Sequence, residues 1–194
     1  MGLLRSFVPV VAGKVHDWIQ SQRAEHLPVA RALTSRERMT LSAHFAEETL
    51  AQARTARVER VPSPPFFGGI LKQLEFIGKR VHFNFSAAAG ITFGECVLIV
   101  DPGVPIDLLF HEMVHVEQYR ILGVKEFARA YVQGIVDSDF IYEKIPLEAI
   151  AFGMTARFTA GEAVSVSAEL PSWMRKQGYF VSELTEKRNE PKRF

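Results

Sequence analysis

At 194 residues, 47% of them hydrophobic, with 23 Lys+Arg against 22 Asp+Glu, the chain has the size and balance of one soluble domain that can bury a real core. A net charge of +1 supplies no general attraction to nucleic acid or to an anionic surface, so nucleic acid is not expected as a partner. The single cysteine, Cys96, excludes an internal disulfide framework and a cysteine-built metal cluster, and no apolar run approaches the roughly 18–20 residues that span a bilayer.

The first segment, residues 1–33, reads as a helical arm. Val8, Val11, Val15, Trp18 and Ile19 recur at helical spacing, and Pro28 stops the pattern. Packing of this amphipathic arm on its own domain is expected, with docking on a protein partner or a membrane surface as the alternative. Met1–Val15 carries one arginine and a short apolar stretch broken by Pro9, which makes a poor signal peptide. A cytoplasmic, bacterial-type protein is therefore expected, with export left open.

Thr34-Ser35-Arg36-Glu37 is a capping box, and Met39, Leu41, Phe45, Leu50 and Ala53 extend an incomplete apolar stripe to about residue 56. His44 within it reads as a packed or surface histidine. Pro62-Ser63-Pro64-Pro65 is a stiff connection. The period then changes. Val81-His82-Phe83-Asn84-Phe85 alternates like a half-buried strand, with His82 on its polar face. Ile91–Phe93 and Val97–Val100 flank Gly94-Glu95, which suits a tight hairpin and places Cys96 as a small buried residue beside a strand. Two to four strands here form a small antiparallel-rich sheet.

Asp101-Pro102-Gly103 turns the chain into a densely apolar helix from Pro105 to Leu122, with Gly123 as its C-terminal cap. A helix apolar on most sides is a buried one. It carries His111-Glu112-Met113-Val114-His115. Imidazoles at i and i+4 lie one turn apart on one face and can reach a single metal ion, while the glutamate between them can take a proton from a water beside it. A second helix follows around Lys125–Val136, broken at Asp137-Ser138-Asp139, and a third spans Pro146–Thr159 with Glu148 in its first turn.

Catalytic zinc takes three protein ligands as a rule. The positions of a third histidine in the extended motif hold Gln118 and Leu122 instead, leaving a downstream carboxylate: Glu143, Glu148 or Glu162. Glu117, two residues past His115, points off the metal-facing side. Glu148 is the best of these, because Ile145, Leu147, Ala149, Ile150, Ala151 and Phe152 surround it with apolar or small groups, and a lone buried carboxylate is costly unless it pairs or binds a metal.

The runs Gly90–Gly94, Leu108–Arg120 with Leu122-Gly123, and Ile145-Pro146-Leu147-Glu148 resemble the metallopeptidase domain associated with extracellular contractile injection systems, which is similar to the Glu-zincins. The resemblance covers about residues 34–158. It implies an α+β, zincin-like fold, mainly helical, with the sheet ahead of the H-E-x-x-H helix. It implies one zinc ion held by His111, His115 and Glu148, with Glu112 as general base, in an endopeptidase acting on a peptide or protein. In the best-known Glu-zincins an aspartate stands four residues after the ligand glutamate; here that place is Phe152. Support for the histidines then falls to Gln118 or Asp107. An oxyanion donor is expected from Tyr142, in the loop leading to Glu148, with Tyr131 and Arg157 as alternatives. In zincins the substrate lies along an edge strand, a part that residues 91–100 would play. The rival function is a catalytically silent zinc-binding structural or interaction module of the same fold, against which the presence of Glu112 argues.

The expected organisation is thus an arm over 1–33, a metallopeptidase domain over 34–170 and a partly disordered tail over 171–194. In that tail Lys187, Arg188, Lys192 and Arg193 are interleaved with Glu186 and Glu190, as on a solvated segment.

Overall fold

The computed structural model describes residues 2–79, 88–100 and 105–179. It shows a mixed α/β architecture in which helices dominate and one small sheet packs against the central helix. The strand expected at Val81–Phe85, with His82, the Asp101–Gly103 turn and the basic C-terminal residues lie outside the described residues.

Helix α1, Gly2–His26, runs on through Pro9. Its stripe is buried as the spacing predicts. Val8 and Ala12 pack against Val132 and Val136, Ile19 enters the main core, and Trp18 sets its ring edge-on to Phe93 at 5.0 Å. Ion pairs from Arg5 to Asp137 and from Arg23 to Glu95 flank this seam. The arm therefore lies on its own domain and shares its core.

The chain next forms strand β1 (Arg31–Ala32), helix α2 (Ser35–Leu41), helix α3 (Glu47–Gln52) and strand β2 (Arg54–Arg57). The capping box at Thr34 is complete: the Glu37 amide donates to Thr34 Oγ1 and the Thr34 amide to Glu37 Oε2. The apolar stripe expected to run to residue 56 stops sooner, because Ala53 ends α3 and the chain turns into β2. His44, between α2 and α3, is a packed histidine. Its Nδ1 lies 2.7 Å from the Val164 carbonyl, and its ring meets Phe110 and Phe158 edge-on.

Helix α4 (Phe67–Phe76) comes next, where no helix was expected, although Phe67, Ile70, Leu71 and Leu74 recur at helical spacing. Strands β3 (Gly90–Phe93) and β4 (Cys96–Ile99) form the expected hairpin around Gly94-Glu95, with Phe93 opposite Cys96. Burial pushes the Cys96 thiol up to about 11, as suits an inert interior cysteine. The sheet order is β1-β2-β4-β3. Two pairings are antiparallel, but β2 and β4 run parallel, so the sheet is mixed. The edge expected over residues 91–100 belongs to β3 alone among the described residues; β4 is interior.

Helix α5, Ile106–Asp137, is broken at Gly123, whose φ of 73° and ψ of 160° form a backbone conformation that glycine alone adopts readily. Its first half is the centre of the molecule: Phe110, Met113 and Val114 are fully buried. Helix α6 (Pro146–Thr159) packs along α5, with Leu147, Ala151 and Met154 buried. Helix α7 (Val166–Lys176) returns to the same core through Val166, Leu170 and Met174. The tail expected to begin at residue 171 thus starts inside a helix, because Leu170 and Met174 carry a buried stripe across that boundary. Among the described residues, no helix is long and apolar enough to cross a membrane.

Candidate metal centre

Two helices, α5 and α6, meet at the buried histidines of the first half of α5. His111 and His115 project one turn apart from α5, and Glu148 comes from the first turn of α6, fixed there by Pro146. All three side chains are buried. The Nε2 atoms of the two histidines lie 3.1 Å apart, and Glu148 Oε2 stands 3.3 Å from His111 Nε2 and 3.4 Å from His115 Nε2. Bonds of about 2.0–2.1 Å to one tetrahedral ion would put its ligand atoms about 3.3–3.4 Å apart. The three atoms form a triangle of that size, in a group that could hold a metal ion.

Within the triangle the two Nε2 atoms face each other, and the Glu148 oxygen turned to them has no other partner. Tyr131 donates to Glu148 Oε1 at 2.7 Å, whereas Oε2 is buried without a hydrogen-bond partner. An orphaned carboxylate oxygen facing two imidazole nitrogens is a costly arrangement that a cation would relieve. Gln118, one of the two expected supports, holds His115: its Oε1 is 2.8 Å from His115 Nδ1, and its Nε2 donates to the Leu147 carbonyl at 2.8 Å. The bond to Nδ1 leaves Nε2 as the nitrogen turned to the triangle. It also ties α5 to the residue just before Glu148. Asp107 instead accepts from the Leu108 amide at the start of α5. Phe152, in the place of the aspartate, lays its ring on His111 with centroids 4.7 Å apart.

Charge is concentrated here. Burial works against the Glu148 carboxylate, but His115 and His111 beside it hold it well below the usual range. Burial also disfavours a charged His115, yet Glu148 outweighs this and raises it to about 9.

Glu112 points to the side of β3. Thr92 Oγ1 donates to its Oε2 at 2.7 Å, and a Cβ built on Gly90 would come within 2.8 Å of its Oε1. Gly90 is therefore the clearance and Thr92 the tether of this carboxylate. Burial lifts Glu112 above the ordinary carboxyl range, against the pull of His115 and His111.

Of the other candidates, Tyr142 lies in a short 3₁₀ turn (Tyr142–Lys144) beside Glu148 and Tyr131, and burial followed by Glu148 raises its hydroxyl far above its ordinary value. Arg157 is committed to Glu162 and Glu169. Glu143 is exposed. Glu117 faces away, accepting from Thr49 at 2.5 Å and pairing with Arg120. The roles of Thr92, Gly90 and Tyr131 had no sequence spacing to reveal them. The available signal was a glycine and a hydroxyl residue two apart on the strand before the histidine helix.

No protein-family model matches the chain, and neither does any curated protein or solved structure. The chemistry of the site rests on its own geometry.

Proposed function

We propose that the protein is a zinc-dependent metallopeptidase of zincin-like build, hydrolysing a peptide bond with Glu112 as general base. The observation that carries the reading is the triangle of His111 Nε2, His115 Nε2 and Glu148 Oε2 with Glu112 fixed beside it. Two imidazoles and one carboxylate are the donor set of open, catalytic zinc sites, and a purely structural site would have no use for a tethered glutamate next to the ligands. Zinc bound there would lower the pKa of a coordinated water and polarise the substrate carbonyl.

The protein's own residues have distinct tasks. Glu112 accepts the proton of the attacking water and later delivers it to the leaving amine, and its elevated proton affinity suits that shuttle. Thr92 keeps one of its oxygens turned to β3, so the other takes part in the transfer. Tyr131 occupies Glu148 Oε1 and leaves Oε2 for the ion. Tyr142, held protonated beside Glu148, is the donor assigned to the carbonyl oxygen as it gains charge. In balance, a C–O bond forms from water, the C–N bond breaks, and the water's proton leaves on the amine.

The test is metal content together with cleavage of casein or a peptide library. Wild type is expected to bind one zinc and cleave, Glu112→Gln to bind zinc and not cleave, and Glu148→Ala to lose zinc. Zinc bound by wild type without cleavage would leave the silent binding module in place of the peptidase. Unchanged metal binding in Glu148→Ala would remove Glu148 from the ligand set.

A further inference from the structure

A cavity of about 620 Å³ opens from the metal centre. Glu112, His115, Tyr131, Tyr142 and Glu148 line one end of it. Away from that end its walls, among the described residues, are mainly apolar side chains of three helices: Val11 and Val15 of α1, Ile70 and Leu74 of α4, Val132 and Ile135 of the second half of α5. Lys72 and Gln73 also line it, but both are exposed, at the solvent side of α4.

Size and shape narrow the occupant. A cavity of ~150 Å³ already holds a benzene ring, so one amino-acid side chain cannot fill this space. The lining face of α1 runs from Leu4 to Ile19, which at 1.5 Å per residue makes a trough roughly 20 Å long. Phe7, Phe76 and Ile77 line it while being more than half exposed, Phe76 by 90%. The trough therefore reaches the surface between α1 and α4 with an apolar rim.

Chemistry narrows the occupant further. A peptide main chain laid along the trough would bury amides and carbonyls against carbon walls, each without a partner. A hydrocarbon chain has no such groups. The polar end matches a carbonyl and its amide, and the long end matches methylenes. We propose that the substrate is an acylated peptide, with its scissile peptide bond at the His111–His115–Glu148 group and its unbranched chain in this cavity. The choice of a peptide bond rests on the hydrolase reading; the binding of the chain does not.

The test uses the full chain carrying Trp173→Phe, so that Trp18, which lines the cavity, reports binding by its fluorescence. The probes are one short peptide amide bearing N-acetyl, N-hexanoyl, N-decanoyl or N-dodecanoyl groups, kept below their micellar concentrations. The dissociation constant is expected to fall by up to about fourfold per added methylene, equally in a Glu112→Gln background. Val11→Phe, which fills the trough without adding a second indole, should weaken the dodecanoyl probe and leave the acetyl probe unchanged. Should that variant not fold, the chain-length slope of the Trp173→Phe protein decides alone. Affinity independent of chain length would overturn the proposal. So would tighter binding of an equally apolar unacylated tripeptide, or of free dodecanoate, than of the dodecanoyl peptide. A steep slope without cleavage of any probe would overturn the hydrolase reading and keep the chain-binding cavity; cleavage without a slope would do the reverse.

Discussion

Single atoms decide how this centre is arranged. Glu148 has two oxygens with different fates, one taken by Tyr131 and one left toward the imidazoles. Glu112 likewise has two oxygens in different settings, Oε2 on Thr92 and Oε1 over Gly90. Gly90→Ala should therefore damage the base without touching the ligands, since the added methyl would lie 2.8 Å from Glu112 Oε1. Misplacement by about an ångström can cost on the order of a hundredfold in rate, so the variant is expected to lose activity on that scale at full zinc content. Gln118→Ala acts on the other side. It frees the His115 ring and removes the side-chain donor to the Leu147 carbonyl. Loss of such support typically costs about 10–100-fold in metal affinity, readable by competition with a chelator; unchanged affinity would mean that packing alone orients His115.

Among the elements, the local ones were legible and the remote ones were not. Helix α6 runs from Pro146 to Thr159 as its proline and apolar run imply, and the Thr34–Glu37 cap forms as the residue order implies. Those signals lie within a turn or two of the chain. Strand β2 gave none. Arg54-Thr55-Ala56-Arg57 is charged at both ends and is a strand because Cys96–Ile99 pairs with it from far along the chain. Helix α4 begins with Phe67-Gly68-Gly69, poor helix formers that hide it. The histidine pair was plain from its spacing, whereas the Tyr131–Glu148 bond joins two helices across a break.

The break inside α5, at Gly123, has its own energetics. Gly123→Ala would force a side chain into a region open essentially to glycine only, costing about 1–3 kcal/mol; urea unfolding should register it, although open space surrounds the position. The cap of α2 gives a pH signature. Arg31 holds Glu37 down at about 2 against an ordinary 4.5; burial opposes this, and Thr34 assists. A carboxyl lowered on folding stabilises above its unfolded value and loses that contribution as pH falls through its folded one. The stability gap between wild type and Glu37→Gln should accordingly be full at pH 6 and shrink between about 4.5 and 2.

At the level of the whole molecule, α1 is part of the body. Ile19 is 2% exposed in the same core as Phe93, Phe110 and Met113. Ile19→Ala should lower unfolding free energy by about 2–5 kcal/mol, as a loss in the urea midpoint of a single transition. Two separate transitions would mean instead that α1 melts on its own.

Strand β3 carries one more implication. Gly90 and Thr92, which clear and tether Glu112, are two apart and share a face of the pleat; Ile91 and Phe93 occupy the other. The position of the base is thus encoded in odd-or-even parity along four residues. Sliding β3 by one step along β4 would present isoleucine and phenylalanine where a glycine and a hydroxyl now stand. The Gly94-Glu95 turn, in which Gly94 takes a φ of 66°, is what keeps that count.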